Sequence, residues 1–168
     1  MRVEITSALQ KDAKTMGKIM AACWKQAYRG IIPDSYLRTV TAQSRAKRFC
    51  ADIPLYPERA YWMICADGKP AGVIILAPCE DNELPDTGEI MAMYLLRPYW
   101  RTGLAQKVIG RALEWMRDKG FRQAVLWVLE DNARALKFYR KCGFAPDGVK
   151  QVITLEAPLL AIRCRRAL

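Results

Sequence analysis

Gly88-Glu89-Ile90-Met91-Ala92-Met93-Tyr94-Leu95-Leu96 is a mostly apolar run that follows a turn-rich segment and ends at Arg97-Pro98, so it reads as a strand. A short turn then leads into Trp100-Arg101-Thr102-Gly103-Leu104-Ala105. From there Leu104, Val108, Ile109, Ala112, Leu113, Trp115 and Met116 recur at helical spacing, which predicts a helix over 103–119 closed by Lys119-Gly120. Residues 123–129 are apolar on both faces, as in a strand buried in mid-sheet. Strand, helix and strand in this order imply a parallel pair with a right-handed crossover.

On the N-terminal side, residues 2–7 predict a first strand. Residues 10–29 predict a helix with Ala13, Met16, Ile19, Met20, Cys23, Trp24 and Ala27 on one stripe, stopped by Gly30 and Pro33. Asp34 opens a short helix, 42–52 forms another, and Pro54 and Pro57 break the chain. Strands 60–66 and 71–77 flank the turn Asp67-Gly68-Lys69-Pro70, and 79–87 is a loop. On the C-terminal side, a helix over 132–142 stops at Gly143, and 144–166 reads as two strands around Ala157-Pro158. The expected fold is α/β: a mixed, mostly antiparallel central sheet with one parallel pair, flanked by helices, in a single domain over 1–168.

Composition narrows the chemistry. With 52% apolar residues the 168-residue chain can build a core, and no run approaches the roughly 18 apolar residues of a membrane span. The N-terminus reads as a strand, not a signal peptide, so the expectation is a soluble, cytoplasmic protein with no membrane partner. The chain has no histidine, which removes Ser-His-Asp and Cys-His catalysis and H-E-x-x-H metal chemistry. The six cysteines form no C-x-x-C pair, so free thiols are expected and a metal is not. A net charge of +10 suits an anionic ligand, and no nucleic-acid module is visible in the spacing.

Two segments carry candidate chemistry. A strand that runs through a Gly-containing turn into a helix leaves unpaired N–H groups at the helix start, a phosphate site by hydrogen bonding and dipole. Gly103 and Ala105 keep that start unobstructed, and Arg97, Arg101, Lys107 and Arg111 add positive charge. Neither a Walker A loop nor G-x-G-x-x-G is present. On the next helix Asn132, Ala135 and Tyr139 share a face. Asn132 can meet a ligand or cap the helix, and Tyr139 can deliver a proton or fill the core; taken alone, the packing readings prevail.

The stretch Gly88 to Phe144 resembles the GNAT superfamily of acetyl-CoA-dependent N-acetyltransferases. Gly103 and Ala105 match the end of the family loop Q/R-x-x-G-x-G/A, although Trp100 replaces its first Gln or Arg. Asn132, Ala135 and Tyr139, followed by Gly143-Phe144, are similar to the family signature N-x-x-A-x-x-x-Y…G-F. Tyr28-Arg29-Gly30-Ile31-Ile32-Pro33 resembles a motif of one large subgroup.

The resemblance implies acetyl transfer to a primary amine by direct attack in a ternary complex. Backbone groups of Tyr94, Leu95 and Leu96 would hold the pantetheine arm. Arg101, Thr102, Gly103, Leu104, Ala105 and Gln106 would hold the pyrophosphate, with Asn132 and Ala135 adding contacts. Tyr139 becomes the candidate acid and Glu89 the candidate base, with water as competitor and an arginine pair as the alternative use of Glu89. Trp24, Tyr28 and Tyr36 could wall an acceptor pocket or simply pack. Another acyl-CoA, a protein amine acceptor and an inert CoA-binding sensor are the alternative readings. The acceptor and a homodimeric state are left open.

Overall fold

Seven strands form one sheet in the order β1-β2-β3-β4-β5-β7-β6. They are β1 (Val3–Ser7), β2 (Ala60–Ala66), β3 (Lys69–Pro78), β4 (Thr87–Leu95), β5 (Gln123–Leu129), β6 (Ala145–Thr154) and β7 (Pro158–Ala167). The computed structural model describes every residue from Met1 to Leu168. Only β4 and β5 run parallel, and the other neighbours are antiparallel, so the expected mixed sheet is the one observed. Five α-helices accompany it: α1 (Ala13–Ala27), α2 (Asp34–Thr39), α3 (Ala42–Leu55), α4 (Leu104–Asp118) and α5 (Ala133–Lys141). No helix is long and apolar enough to cross a membrane.

The two faces of the sheet are covered differently. On one face α4 buries Leu104, Val108, Ala112 and Met116 against Ile74, Leu76, Ile90 and Leu126, and α5 adds Tyr139. On the other face α1 and α3 bury Met16, Ile19, Met20 and Phe49 against Tyr61 and Val73. Each aliphatic side chain fully removed from water contributes about 1.5–3 kcal/mol, so these apolar stripes hold the three layers together. Gly17 lets α1 and α3 meet at backbone distance: a Cβ there would lie 2.5 Å from the Ala42 carbonyl oxygen and from the Ala46 nitrogen.

Element ends shift by a few residues from the sequence reading, and two of the differences have a local physical cause. The chain enters α1 through a separate 3₁₀ turn, Gln10–Asp12. α3 runs through Pro54 to Leu55 instead of stopping before it. A proline lacks the N–H that would bond four residues back. The Cys50 carbonyl that it leaves free accepts from Gln10 Nε2 at 2.8 Å.

The positive C-terminal stretch is also used internally. Arg163 is 7% exposed and pairs with both Asp81 and Asp147 at 2.7 Å. Arg166 donates to the Cys142 carbonyl.

The feature that prepares a binding site is a parting of the two parallel strands. Along β3, Leu76 faces Ile90 and Ile75 faces Ala92, which leaves Met91 as a one-residue bulge in β4. Pairing with β5 ends at Ile90–Leu126. Beyond it β4 continues on β3 to Leu95, while β5 continues on β7 to Leu129. One edge of β4 therefore opens onto a gap in the middle of the sheet.

Candidate active site

The gap exposes particular backbone groups. The Leu96 N–H donates to the Ala71 carbonyl at 2.9 Å. Backbone groups alternate sides along a strand, so those of Tyr94 also face β3, whereas those of Met93 and Leu95 face the gap. The Leu95 carbonyl is already used, because Trp100 Nε1 donates to it at 2.7 Å. The Arg134 guanidinium stacks on the same indole, 3.5 Å from the ring centroid. Of the three backbone positions expected from the sequence, only the Leu95 N–H keeps a free group on the gap side, and Met93 joins it. Sequence could not phase this alternation, because the phase depends on which edge β3 occupies and on the bulge at Met91.

Where β4 ends, the chain winds into α4 through Arg101 and Gly103, both in the left-handed region at φ 64° and 84°. Backbone N–H groups of Arg101, Thr102, Gly103, Ala105 and Gln106 make no hydrogen bond within the chain. Thr102 Oγ1 braces the turn, donating to the Tyr99 carbonyl at 2.8 Å and accepting from Leu104 N–H at 3.4 Å. A Cβ built on Gly103 would meet nothing within 4 Å, so the surface beside these donors is open. Free donors, the α4 dipole, and the exposed Arg101 and Lys107 together form a positive, donor-lined cradle of a shape and charge that phosphate oxygens can occupy.

Asn132 caps α5: its Oδ1 accepts from the Ala135 N–H at 3.2 Å, and the residue is 8% exposed. The capping reading is thus realised, the Ala135 N–H is occupied, and the Asn132 Nδ2 donor remains without a partner in the chain. Tyr139 lies on the α4 side of the sheet, its ring edge-on to Phe138 and Phe144. Its hydroxyl makes no hydrogen bond within the chain. Burial pushes its pKa well above the ordinary phenol value, and the nearby Tyr28 adds to the rise. Tyr94, from the opposite face, feels Tyr139 as well, and its hydroxyl lies 3.1 Å from that of Tyr28. Three phenols thus gather about the gap, all protonated at neutral pH.

Glu89 is half-buried, two residues before the bulge. Burial raises its carboxyl above the ordinary range, Glu80 adds to that, and Arg59 opposes it. It forms no ion pair within 4 Å; Arg59 reaches Glu58 and Glu80 instead, at 3.7 and 3.5 Å.

On this same face, between α1, α3 and the strands, lies a cavity of ≈ 200 Å³ that reaches Met91, Ala92 and Tyr94. Trp24 lines it as expected, but Tyr28 and Tyr36 do not; they pack around the Trp24 ring at 5.1 and 6.3 Å. Sequence reading missed Arg45, Arg59 and Tyr61, which do line it. The available signal was Arg45 beside the apolar residue Phe49 on one face of the 42–55 helix.

Known proteins share this fold. The model of the acetyltransferase (GNAT) family matches residues 20–144. YuaI, an uncharacterized N-acetyltransferase of Bacillus subtilis, is 23% identical over 154 residues, covering 89% of this chain and 83% of its own. An uncharacterized N-acetyltransferase of Mycobacterium tuberculosis (strain H37Rv) is 30% identical over 120 residues, covering 71% of this chain and 74% of its own. Among solved structures, the PaiA N-acetyltransferase of Thermoplasma acidophilum in complex with coenzyme A superposes with a TM-score of 0.81 at 19% identity, over 100% of both chains. YncA of Salmonella typhimurium, solved with its cofactor acetyl-CoA, gives 0.72 at 16% identity over 100% of this chain and 95% of its own. The parted β4 and β5, the donor-lined start of α4 and the matched family model together identify the chain as a member of the GNAT family of acetyltransferases.

Proposed function

We propose that this chain is a single-domain, cytoplasmic N-acetyltransferase that moves the acetyl group of acetyl-CoA to a primary amine by direct attack within a ternary complex. The observation that carries the reading is the row of free N–H groups at Arg101, Thr102, Gly103, Ala105 and Gln106, set at the end of the open edge of β4. Acetyl-CoA supplies an activated thioester. The free Met93 groups and the Leu95 N–H hold the amide-bearing arm as an added strand would, and the cradle holds the pyrophosphate.

The chemistry then needs two proton movements. A primary amine is an ammonium ion at neutral pH and must lose a proton before its nitrogen can attack. Glu89 takes that proton, directly or through water. The C–N bond forms, the C–S bond breaks, and Tyr139 donates a hydrogen bond and then a proton to the departing sulfur. The second amine proton, lost as the amide forms, restores the Tyr139 phenol, and Glu89 passes the first to solvent. The overall change is ammonium plus thioester to amide, thiol and one released proton. An unperturbed thiol titrates near 8.5, below any phenol, so Tyr139 acts at the moment of bond breaking and not as a free acid.

The test is amine-dependent release of the CoA thiol, followed against pH. A base must be ionised, and a carboxyl raised by burial loses its proton late, so activity should fall on the acid side through a pKa above the ordinary carboxylate range. Glu89→Gln should remove that limb and lower kcat by about 10²-fold. A limb unchanged in the variant assigns the proton to water, and thiol release indifferent to any amine contradicts the transferase reading.

A further inference from the structure

Every sealed side-chain polar atom without a partner of ideal geometry belongs to a residue that lines the cavity beside the bulge. These are Trp24 Nε1, Arg45 Nε, Arg59 Nε and Tyr61 Oη. Buried polar groups in folded proteins nearly always find a partner, and the exceptions call for a reason. Here four gather on one cavity of ≈ 200 Å³. Three of the four are nitrogens that can only donate, so a small rotation of these side chains toward the cavity would offer donors to an occupant that brings acceptor atoms.

Charge sharpens this. The cavity is lined by Arg45, Arg48 and Arg59 against one carboxylate, Asp52, which is held by Arg48 at 3.3 Å. Arg59 leans outward to Glu58 and Glu80 and stacks on Tyr56 at 3.8 Å. It also lies against the Tyr61 hydroxyl, close enough to interact with it by hydrogen bonding and by charge, although the contact falls short of ideal hydrogen-bond geometry. Arg45 has neither ion pair nor side-chain hydrogen bond, and its guanidinium sits 4.5 Å from the Trp24 ring centroid. A half-buried guanidinium without an anion is costly, and it is the side chain best matched to a carboxylate, which it meets with two parallel N–H donors. Met20, Phe49 and Ile75 supply apolar wall around the same space.

We propose that the acceptor is a small amino acid with an apolar side chain, its carboxylate bound by Arg45 beside the Trp24 ring, and its amine turned toward the bulge at Met91. This rests on the acetyltransferase reading above and names the substrate class of that site. The cavity is smaller than the roughly 300–1,000 Å³ of drug-sized ligand pockets, in keeping with a metabolite. A polyamine would bring only donors and positive charge to a wall of donors and arginines. Bulk water could also fill the space, and it would confer no preference among acceptors.

The experiment is thiol release with matched pairs: leucine, methionine and phenylalanine against the same amines lacking the carboxyl, with spermidine as the polycation. Titration of acetyl-CoA runs alongside. At least one amino acid should be used about 100-fold better, in kcat/KM, than its decarboxylated partner. Arg45→Gln should raise the amino-acid KM by about 30-fold or more and erase the preference, with acetyl-CoA affinity unchanged. Arg45→Lys should recover part of the loss, which a folding defect would not allow. The proposal is overturned if a decarboxylated amine or spermidine is preferred. It is equally overturned if no amino acid is acetylated while acetyl-CoA binds, or if Arg45→Gln weakens acetyl-CoA instead of the acceptor. Failure of acetyl-CoA itself to bind would overturn the transferase reading, and this proposal with it.

Discussion

Tyr139→Phe should lower kcat by about 10²–10⁴-fold, the usual worth of a positioned acid, and leave the acetyl-CoA Kd within about threefold. The substitution is unusually clean. The ring keeps its contacts with Phe138 and Phe144, at 5.2 and 6.0 Å between centroids. The hydroxyl that disappears has no hydrogen bond within the chain, so no buried partner is orphaned and thermal stability should hold. Because burial raises this phenol above its ordinary value, the wild-type rate should show no alkaline loss attributable to it below about pH 10. Steady-state kinetics on both proteins checks this, and an equal kcat would remove Tyr139 as the acid.

Gly103→Glu should weaken acetyl-CoA by about 100-fold or more. The residue sits at φ 84°, where a side chain costs roughly 1–2 kcal/mol, and its Cβ would enter open space, so the variant should still fold. The carboxylate would then stand in the mouth of the donor cradle and repel pyrophosphate. Like charges brought together cost several kcal/mol, and about 1.4 kcal/mol is a decade of affinity. Gly103→Ala carries the backbone strain without the charge and should bind within about tenfold of wild type. Calorimetric titration separates the two. Wild-type affinity in the glutamate variant would mean that phosphate binds elsewhere.

The fold was legible because its elements are locally consistent. The α4 stripe, the two-sided apolar β5 and the Gly103 turn each specify one structure, and their order dictates the parallel pair. What escaped was non-local. The bulge at Met91 arises from the pairing of β3 with β4, and nothing in Ile90-Met91-Ala92 announces it. The face presented by Tyr94 and the spent carbonyl of Leu95 follow from that pairing and from Trp100. The departure of Trp100 from the family loop thus acquires a physical consequence: its indole fills one backbone position on the open edge.

The acceptor side was least legible. Aromatic residues in 24–37 drew attention, yet two of the three are packing. Arg45 lies in a charged helix with no motif to single it out, and only the docking of α3 on α1 places it on the cavity wall. Asn132 shows the opposite case: the helix-cap reading and the family reading share one residue, with Oδ1 spent on the cap and Nδ2 left over.

The central claim is that the open edge of β4 and the start of α4 form a coenzyme A site. Isothermal titration of the purified protein with acetyl-CoA, and in parallel with dephospho-CoA, tests it most directly. Saturable one-site binding of acetyl-CoA is expected, tighter than that of the form lacking the 3′-phosphate because of the positive charge about Arg101 and Lys107. No binding of either would make the turn at Gly103 a structural one and contradict the account.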